Sequence, residues 1–99
     1  METDIPIACS LDGPAREERL AAWRTLAAQA DDDSAPAPTT RRLRFRPDAV
    51  DLAGVAALVQ AELECCPFFR FTLTADAAAV VLAVEAPAEG ATLVSALGR

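Results

Sequence analysis

The chain has 99 residues, 15 of them acidic and 9 basic, with a formal net charge of −6, and every basic residue is an arginine. It contains no histidine, lysine or tyrosine. Without histidine there is no Ser–His or Cys–His nucleophilic pair and no imidazole zinc ligand, and without lysine there is no Schiff-base chemistry. Because phosphate neutralisation dominates nucleic-acid affinity, we expect no nucleic-acid partner for this acidic chain.

The length predicts a single domain spanning residues 1–99, and a hydrophobic content of 53% predicts an ordered core. No apolar run is long enough for a membrane-spanning helix, and the N-terminal residues lack the basic and apolar regions of a signal peptide. Three cysteines, two of them adjacent, are not typical of a secreted disulfide framework. We therefore expect a cytoplasmic protein with no membrane partner.

The first third of the chain predicts a strand followed by a helix. Residues 5–11 are short and apolar, as in a buried strand, and Asp12 is a candidate N-cap with Pro14 in the first turn of the helix. Apolar residues at helical spacing then predict an amphipathic helix from Ala15 to near Gln29, packed through Trp23.

Residues 31–40 (DDDSAPAPTT) predict a flexible, acidic and proline-rich loop. Residues 41–46 (RRLRFR) then alternate, with Leu43 and Phe45 on one face, which predicts a half-buried strand. We interpret the arginines as the solvated face of an edge strand, and an anion-binding strip is the alternative. These arginines are Arg41, Arg42, Arg44 and Arg46.

A second helix is predicted to begin at Pro47-Asp48, with Asp48 as N-cap and Asp51 in the first turn. Pro67 is predicted to end it. Its predicted core stripe is Leu52, Val55, Ala56, Val59, Leu63 and Cys66. Strands are predicted at residues 69–74 and 80–85 with a turn at Asp76, followed by a closing helix at 87–97. The predicted fold is an α+β two-layer sandwich of order β-α-β-α-β-β-α, with a mainly antiparallel four-stranded sheet.

The adjacent Cys65 and Cys66 at the end of the second helix are the main chemical feature of the sequence. Their α-carbons are about 3.8 Å apart, below the usual disulfide range of about 4.4–6.8 Å, so we expect free thiols. Thiolates select soft metals, and Cys9 can supply a third sulfur if the first strand passes this point. Three sulfurs without histidine favour mercury(II), arsenic(III) or lead(II) over catalytic zinc.

The surrounding charges favour ion capture over catalysis. A helix C-terminus disfavours a thiolate, Glu62 and Glu64 add to that effect, and Arg70 is the one nearby counter-charge in the sequence. A bound cation reverses this balance, because a metal deprotonates its coordinating thiols. We therefore predict Glu62, Glu64 and Arg70 as electrostatic support rather than ligands, and we predict no catalytic residue and no organic cofactor.

An alternative interpretation makes the thiols purely structural. Free cysteine often serves as a small buried apolar residue, Cys66 continues the helix stripe, and Cys9 lies within an apolar strand. The protein would then be a non-catalytic interaction module that forms a homodimer through an exposed sheet edge. A thiol-redox enzyme is a third option, but the adjacent pair lacks the two-residue spacer of CxxC motifs.

Two short motifs carry a family resemblance: IACSL at residues 7–11 and ECCPF at residues 64–68. Together they resemble a family of small, mostly uncharacterised bacterial proteins, some associated with regulators of the mercury-resistance type. The resemblance spans residues 5–97 and implies that Cys9, Cys65 and Cys66 occur together with a soft-metal connection. This chain has Leu63 where many relatives have a basic residue, and it has no DNA-binding segment, so these departures put a regulatory role in doubt.

Overall fold

The structure is a computed structural model that describes residues 13–88. Its elements are α1 (Gly13–Ala28), β1 (Asp32–Ala37), β2 (Thr40–Phe45), a 3₁₀ turn (Pro47–Ala49), α2 (Leu52–Cys65), β3 (Arg70–Ala75) and β4 (Val80–Glu85). The predicted first strand, the candidate cap Asp12 and Cys9 lie outside the described residues, as does the predicted closing helix beyond Ala88.

The four strands form one antiparallel sheet in the order β1-β2-β4-β3. Leu43 of β2 lies opposite Leu82 of β4, which in turn lies opposite Leu73 of β3, so these three residues share one face. Over the described residues the element order is α-β-β-α-β-β. The predicted α+β class with a four-stranded antiparallel sheet is confirmed.

One face of the sheet carries the core, and both helices pack against it. Alternate residues of β2 and β4 are buried, as period-2 patterns predict, whereas Arg42 and Arg44 are exposed on the opposite face. Trp23 of α1 and Val55 of α2 join the same apolar cluster. The buried members are Trp23, Leu26, Leu43, Phe45, Val55, Cys65, Cys66, Phe68, Phe69, Val80, Leu82 and Val84.

The prediction of a loop throughout residues 31–40 is wrong, because β1 occupies residues 32–37 as an edge strand. The Asp33 carboxylate accepts two hydrogen bonds from the Arg41 guanidinium, at 2.9 and 2.6 Å, which ties β1 to β2. Pro36 falls where the register shifts between Ser34 and Ala37. An edge strand tolerates proline at such an irregularity, since no ladder hydrogen bond is lost.

The pairing of β1 also corrects the interpretation of β2 as an edge strand. β2 is an inner strand, bonded to β1 on one side and β4 on the other. Arg41 does not belong to the solvated face: it is 3% exposed and paired with Asp33, on the same face as Leu43. The other three arginines of the segment, Arg42, Arg44 and Arg46, are exposed as expected.

The second helix begins later than predicted and buries only part of the predicted stripe. Pro47–Ala49 form a 3₁₀ turn and Val50 is extended, so the N-cap of α2 is Asp51 rather than Asp48. The buried residues of α2 are Val55, Glu62 and Cys65, whereas the predicted stripe residues Leu52, Ala56 and Leu63 are exposed. Val55 and Cys66 of the predicted stripe are buried as expected, so the buried face is shifted to include Glu62 rather than replaced. The predicted end at Pro67 is confirmed, because α2 ends at Cys65 with Cys66 as C-cap.

The β3–β4 hairpin matches its prediction closely. Its strands are Arg70–Ala75 and Val80–Glu85, and Asp76 lies in the connecting turn. The Asp76 carboxylate accepts hydrogen bonds from the backbone N–H groups of Ala78 at 2.8 Å and Ala79 at 2.9 Å. These two bonds, that of Ala78 first, hold the pKa of Asp76 below its usual value. Neither described helix has the length and apolar character needed to cross a membrane.

Candidate metal centre

The end of α2 places the two cysteine sulfurs together. Successive residues of a helix point about 100° apart, which would separate adjacent side chains. Cys66 leaves helical geometry, with φ −131° and ψ 73°, while its N–H still donates to the Glu62 carbonyl oxygen at 2.7 Å. The Sγ atoms of Cys65 and Cys66 lie 3.8 Å apart. Pro67 then prevents the helix from continuing, so this arrangement is built into the backbone.

Glu62 lies three residues before Cys65 on the same helix face and is 3% exposed. One carboxylate oxygen, Oε1, accepts a hydrogen bond from Trp23 Nε1 at 2.7 Å and lies 3.4 Å from Arg19 Nη1. The other oxygen, Oε2, accepts from the Cys65 thiol at 3.8 Å. Helix α1 therefore holds one oxygen of this carboxylate, and the other is directed at the thiols.

Arg19 supplies the positive charge of the site. Its Nη1 donates to Cys65 Sγ at 3.3 Å as well as to Glu62, and its side chain is 21% exposed. Burial alone would lower the pKa of Arg19, but the hydrogen bond and charge of Cys65, followed by those of Glu62, raise that pKa above its usual value. The guanidinium is therefore a fixed cation between a thiol and a carboxylate.

Aromatic rings fix the indole that holds Glu62. Trp23 stacks on Phe71 with ring centroids 5.7 Å apart and planes 6° from parallel. Phe69 meets Phe71 edge-on at 5.7 Å, and Phe68 lies 4.5 Å from Phe69. These contacts orient the indole N–H toward the carboxylate. The apolar surroundings strengthen every electrostatic interaction within the site.

Within residues 13–88, Glu62, Cys65 and Cys66 form a group that can hold a metal ion. One donor atom from each residue lies within 4.8 Å of the others, and all three residues are buried. Two sulfurs and a carboxylate oxygen can chelate a cation, and the pair of thiols favours a soft one.

The three residues predicted as electrostatic support differ in their burial. Glu62 is buried inside the group rather than solvated, whereas Glu64 and Arg70 are exposed. The guanidinium that contacts the thiol belongs to Arg19. Neither Arg19 nor the indole N–H of Trp23 is predicted from the sequence to belong to the site. Their four-residue spacing, which places both on one face of α1, is the signal that could have linked them.

Cys9 lies outside the described residues, so its approach to the pair stays a prediction. Comparison with known proteins adds nothing to these contacts: no family model, no curated protein and no solved structure matches the chain.

Proposed function

We propose that this protein binds a soft metal or metalloid ion, such as mercury(II) or arsenite, through Cys65 and Cys66. The observation that carries the proposal is the buried group of two sulfurs 3.8 Å apart beside a carboxylate oxygen. Thiolates bind soft ions in preference to hard ones, and two thiolates on adjacent residues chelate with little loss of chain entropy.

The local electrostatics support capture of an ion rather than nucleophilic attack. The pair lies at the C-terminal end of α2, where the helix dipole disfavours negative charge, and Glu62 is close to the sulfurs. Arg19 offsets part of this repulsion. A bound cation removes the rest, because it deprotonates the thiols and neutralises the thiolates that form. Binding requires reduced thiols, in keeping with a cytoplasmic location.

Native mass spectrometry of the reduced protein tests the proposal. The wild type is titrated in turn with mercury(II), arsenite and zinc(II), beside a Cys65→Ser/Cys66→Ser variant that retains Cys9. We expect stoichiometric uptake by the wild type that is lost in the variant and survives competition from a small thiol. The mass of the protons displaced gives the number of thiolates bound. If the wild type takes up none of these ions, the proposal is contradicted.

The burial of both thiols favours one other function. Cys65 is 6% and Cys66 3% exposed, and both belong to the apolar core. In an interaction module the two would serve only as packing residues, and the edges of the sheet would mediate dimerisation. Alkylation of the native protein separates the two functions. Thiols that bind an ion react in the folded state and are protected by the ion, whereas packing thiols react only on unfolding.

A further inference from the structure

The separation of the two sulfurs restricts the coordination geometry of the ion. If one ion is bonded to both sulfurs at about 2.3 Å, and the sulfurs lie 3.8 Å apart, the sulfur–ion–sulfur angle is about 110°. Linear coordination, which mercury(II) prefers with two thiolates, needs the sulfurs about 4.6 Å apart at the same bond length. The spacing of the two sulfurs therefore favours bent coordination, with a sulfur–ion–sulfur angle well below 180°.

The Glu62 carboxylate provides a third donor that is already oriented. Trp23 and Arg19 both act on Oε1, while Oε2 lies 3.8 Å from the Cys65 sulfur. Carboxylates that bind metals are typically held in this way by hydrogen bonds from a second layer of residues. A carboxylate that only balanced charge would not need one oxygen to be directed at the sulfurs.

The charges of the four side chains indicate the charge of the ion. Two thiolates and the Glu62 carboxylate carry three negative charges and Arg19 carries one positive, which leaves two negative charges for the ion to neutralise. Arsenite bound to two thiolates forms a neutral adduct and makes no use of Glu62. A divalent cation uses all three donors.

We propose that the ion is a thiophilic divalent cation with bent, mixed sulfur and oxygen coordination, bound by Cys65, Cys66 and Glu62. Arg19 acts as the counter-ion of the empty and the loaded site. The inference rests on the proposed function and names its ion class. Cadmium(II) is a suitable probe: it replaces two thiol protons, which pass to the buffer, and no electrons are transferred.

The test is a cadmium(II) titration of the reduced full chain, with affinity measured by chelator competition and ligands counted by X-ray absorption. Glu62→Gln keeps an oxygen for the Trp23 N–H but loses the charge, and Glu62→Asp keeps the charge but withdraws it from the sulfurs. Glu64→Gln removes the same charge from the exposed neighbour. We expect two sulfur ligands, and a fall in cadmium affinity of at least about tenfold in both Glu62 variants, larger than in Glu64→Gln. Arsenite affinity should change much less.

Three outcomes would overturn the inference while leaving the proposed function intact. The first is an equal effect of Glu62→Gln and Glu64→Gln. The second is three sulfur ligands, with cadmium binding lost in Cys9→Ser. The third is a wild type that takes up mercury(II) or arsenite but not cadmium(II). If no ion binds, or if Cys65→Ser/Cys66→Ser binds as well as the wild type, the proposed function itself fails. Urea unfolding of each variant verifies that lost affinity is not lost folding.

Discussion

The Glu62 carboxylate lies where α1 meets α2 and is held there by Trp23 and Arg19. Helix periodicity placed it on the solvated face, yet it is 3% exposed. Burying a carboxylate is costly unless charged or hydrogen-bonding partners replace water. Trp23 and Arg19 provide those partners from α1, so burial of Glu62 depends on the docking of the two helices.

The hydrogen bond from Trp23 to Glu62 should be measurable as a coupling between the two residues. Trp23→Phe keeps a ring beside Phe71 but removes the N–H, so we expect a loss of about 1–3 kcal/mol from the desolvated carboxylate, with a further loss from the smaller ring. In a Glu62→Leu background the same change should cost less. Urea unfolding followed by circular dichroism measures both. Equal costs in the two backgrounds would contradict a stabilising bond.

The lowered pKa of Asp76 predicts that the stability of the fold depends on pH. Its pKa is lowered in the folded state, so the folded state favours the charged form. The resulting stabilisation is present above the ordinary pKa of 3.8 and is lost as the pH falls through the lower folded-state value. Asp76→Asn lacks this contribution. The difference in melting temperature between the wild type and the variant should therefore shrink on acidification. A difference that stays constant would show that the Asp76 carboxylate does not cause the pH dependence of stability.

At the scale of elements, hydrophobic periodicity predicts the helices and strands whose own residues determine which face is buried. The alternation of β2 and β4 and the helical spacing around Trp23 are examples, and Pro67 marks the end of α2. β1 could not be predicted in this way, because its residues have low strand propensity. It forms because β2 offers both a hydrogen-bonding edge and Arg41, whose partner is eight residues away in the sequence.

The Asp33–Arg41 pair should therefore stabilise β1 much more than its exposed counterpart. Asp33→Asn leaves the buried Arg41 guanidinium without its charged partner, and we expect a loss of about 2 kcal/mol. The matched control is Asp31→Asn, which removes an exposed partner 4.0 Å from Arg44 and should cost less than about 1 kcal/mol. Urea denaturation midpoints compare the two variants. If both variants lose similarly small amounts of stability, backbone pairing to β2 is sufficient to hold β1 in place.

At the scale of the whole molecule, the site joins parts of the chain that the sequence keeps apart. The two cysteines are adjacent, so their pairing could be predicted from sequence. Arg19 is 43 residues from Glu62 and 46 from Cys65, and only the packing of α1 against α2 reveals that they meet. The paired thiols were thus accessible to sequence analysis, whereas the burial of Glu62 beside them and the contact with Arg19 were not.

Because the site spans both helices, an ion should stabilise the whole fold. Binding to the folded state alone adds about 2.7 kcal/mol to the free energy of unfolding when the free ion is at about 100 times its Kd. We expect the melting temperature to rise with cadmium(II) concentration in the wild type. Cys65→Ser/Cys66→Ser should show no such rise, and neither should the wild type in magnesium(II), a hard cation that prefers oxygen ligands. A rise of equal size in the serine variant would place the ion elsewhere.

The exposure of Arg19 has a consequence for the speed of capture. Its side chain is 21% exposed, against 4% for Glu62, so we expect an arriving ion to meet the guanidinium before it reaches the carboxylate or the sulfurs. The charge that stabilises the empty site therefore repels a bare cation at the entrance. A neutral or anionic complex of the same metal, such as one carried by small thiols, meets no such barrier. We therefore expect the rate of loading to depend on the form in which the metal arrives, with hand-over from another thiol as the faster route.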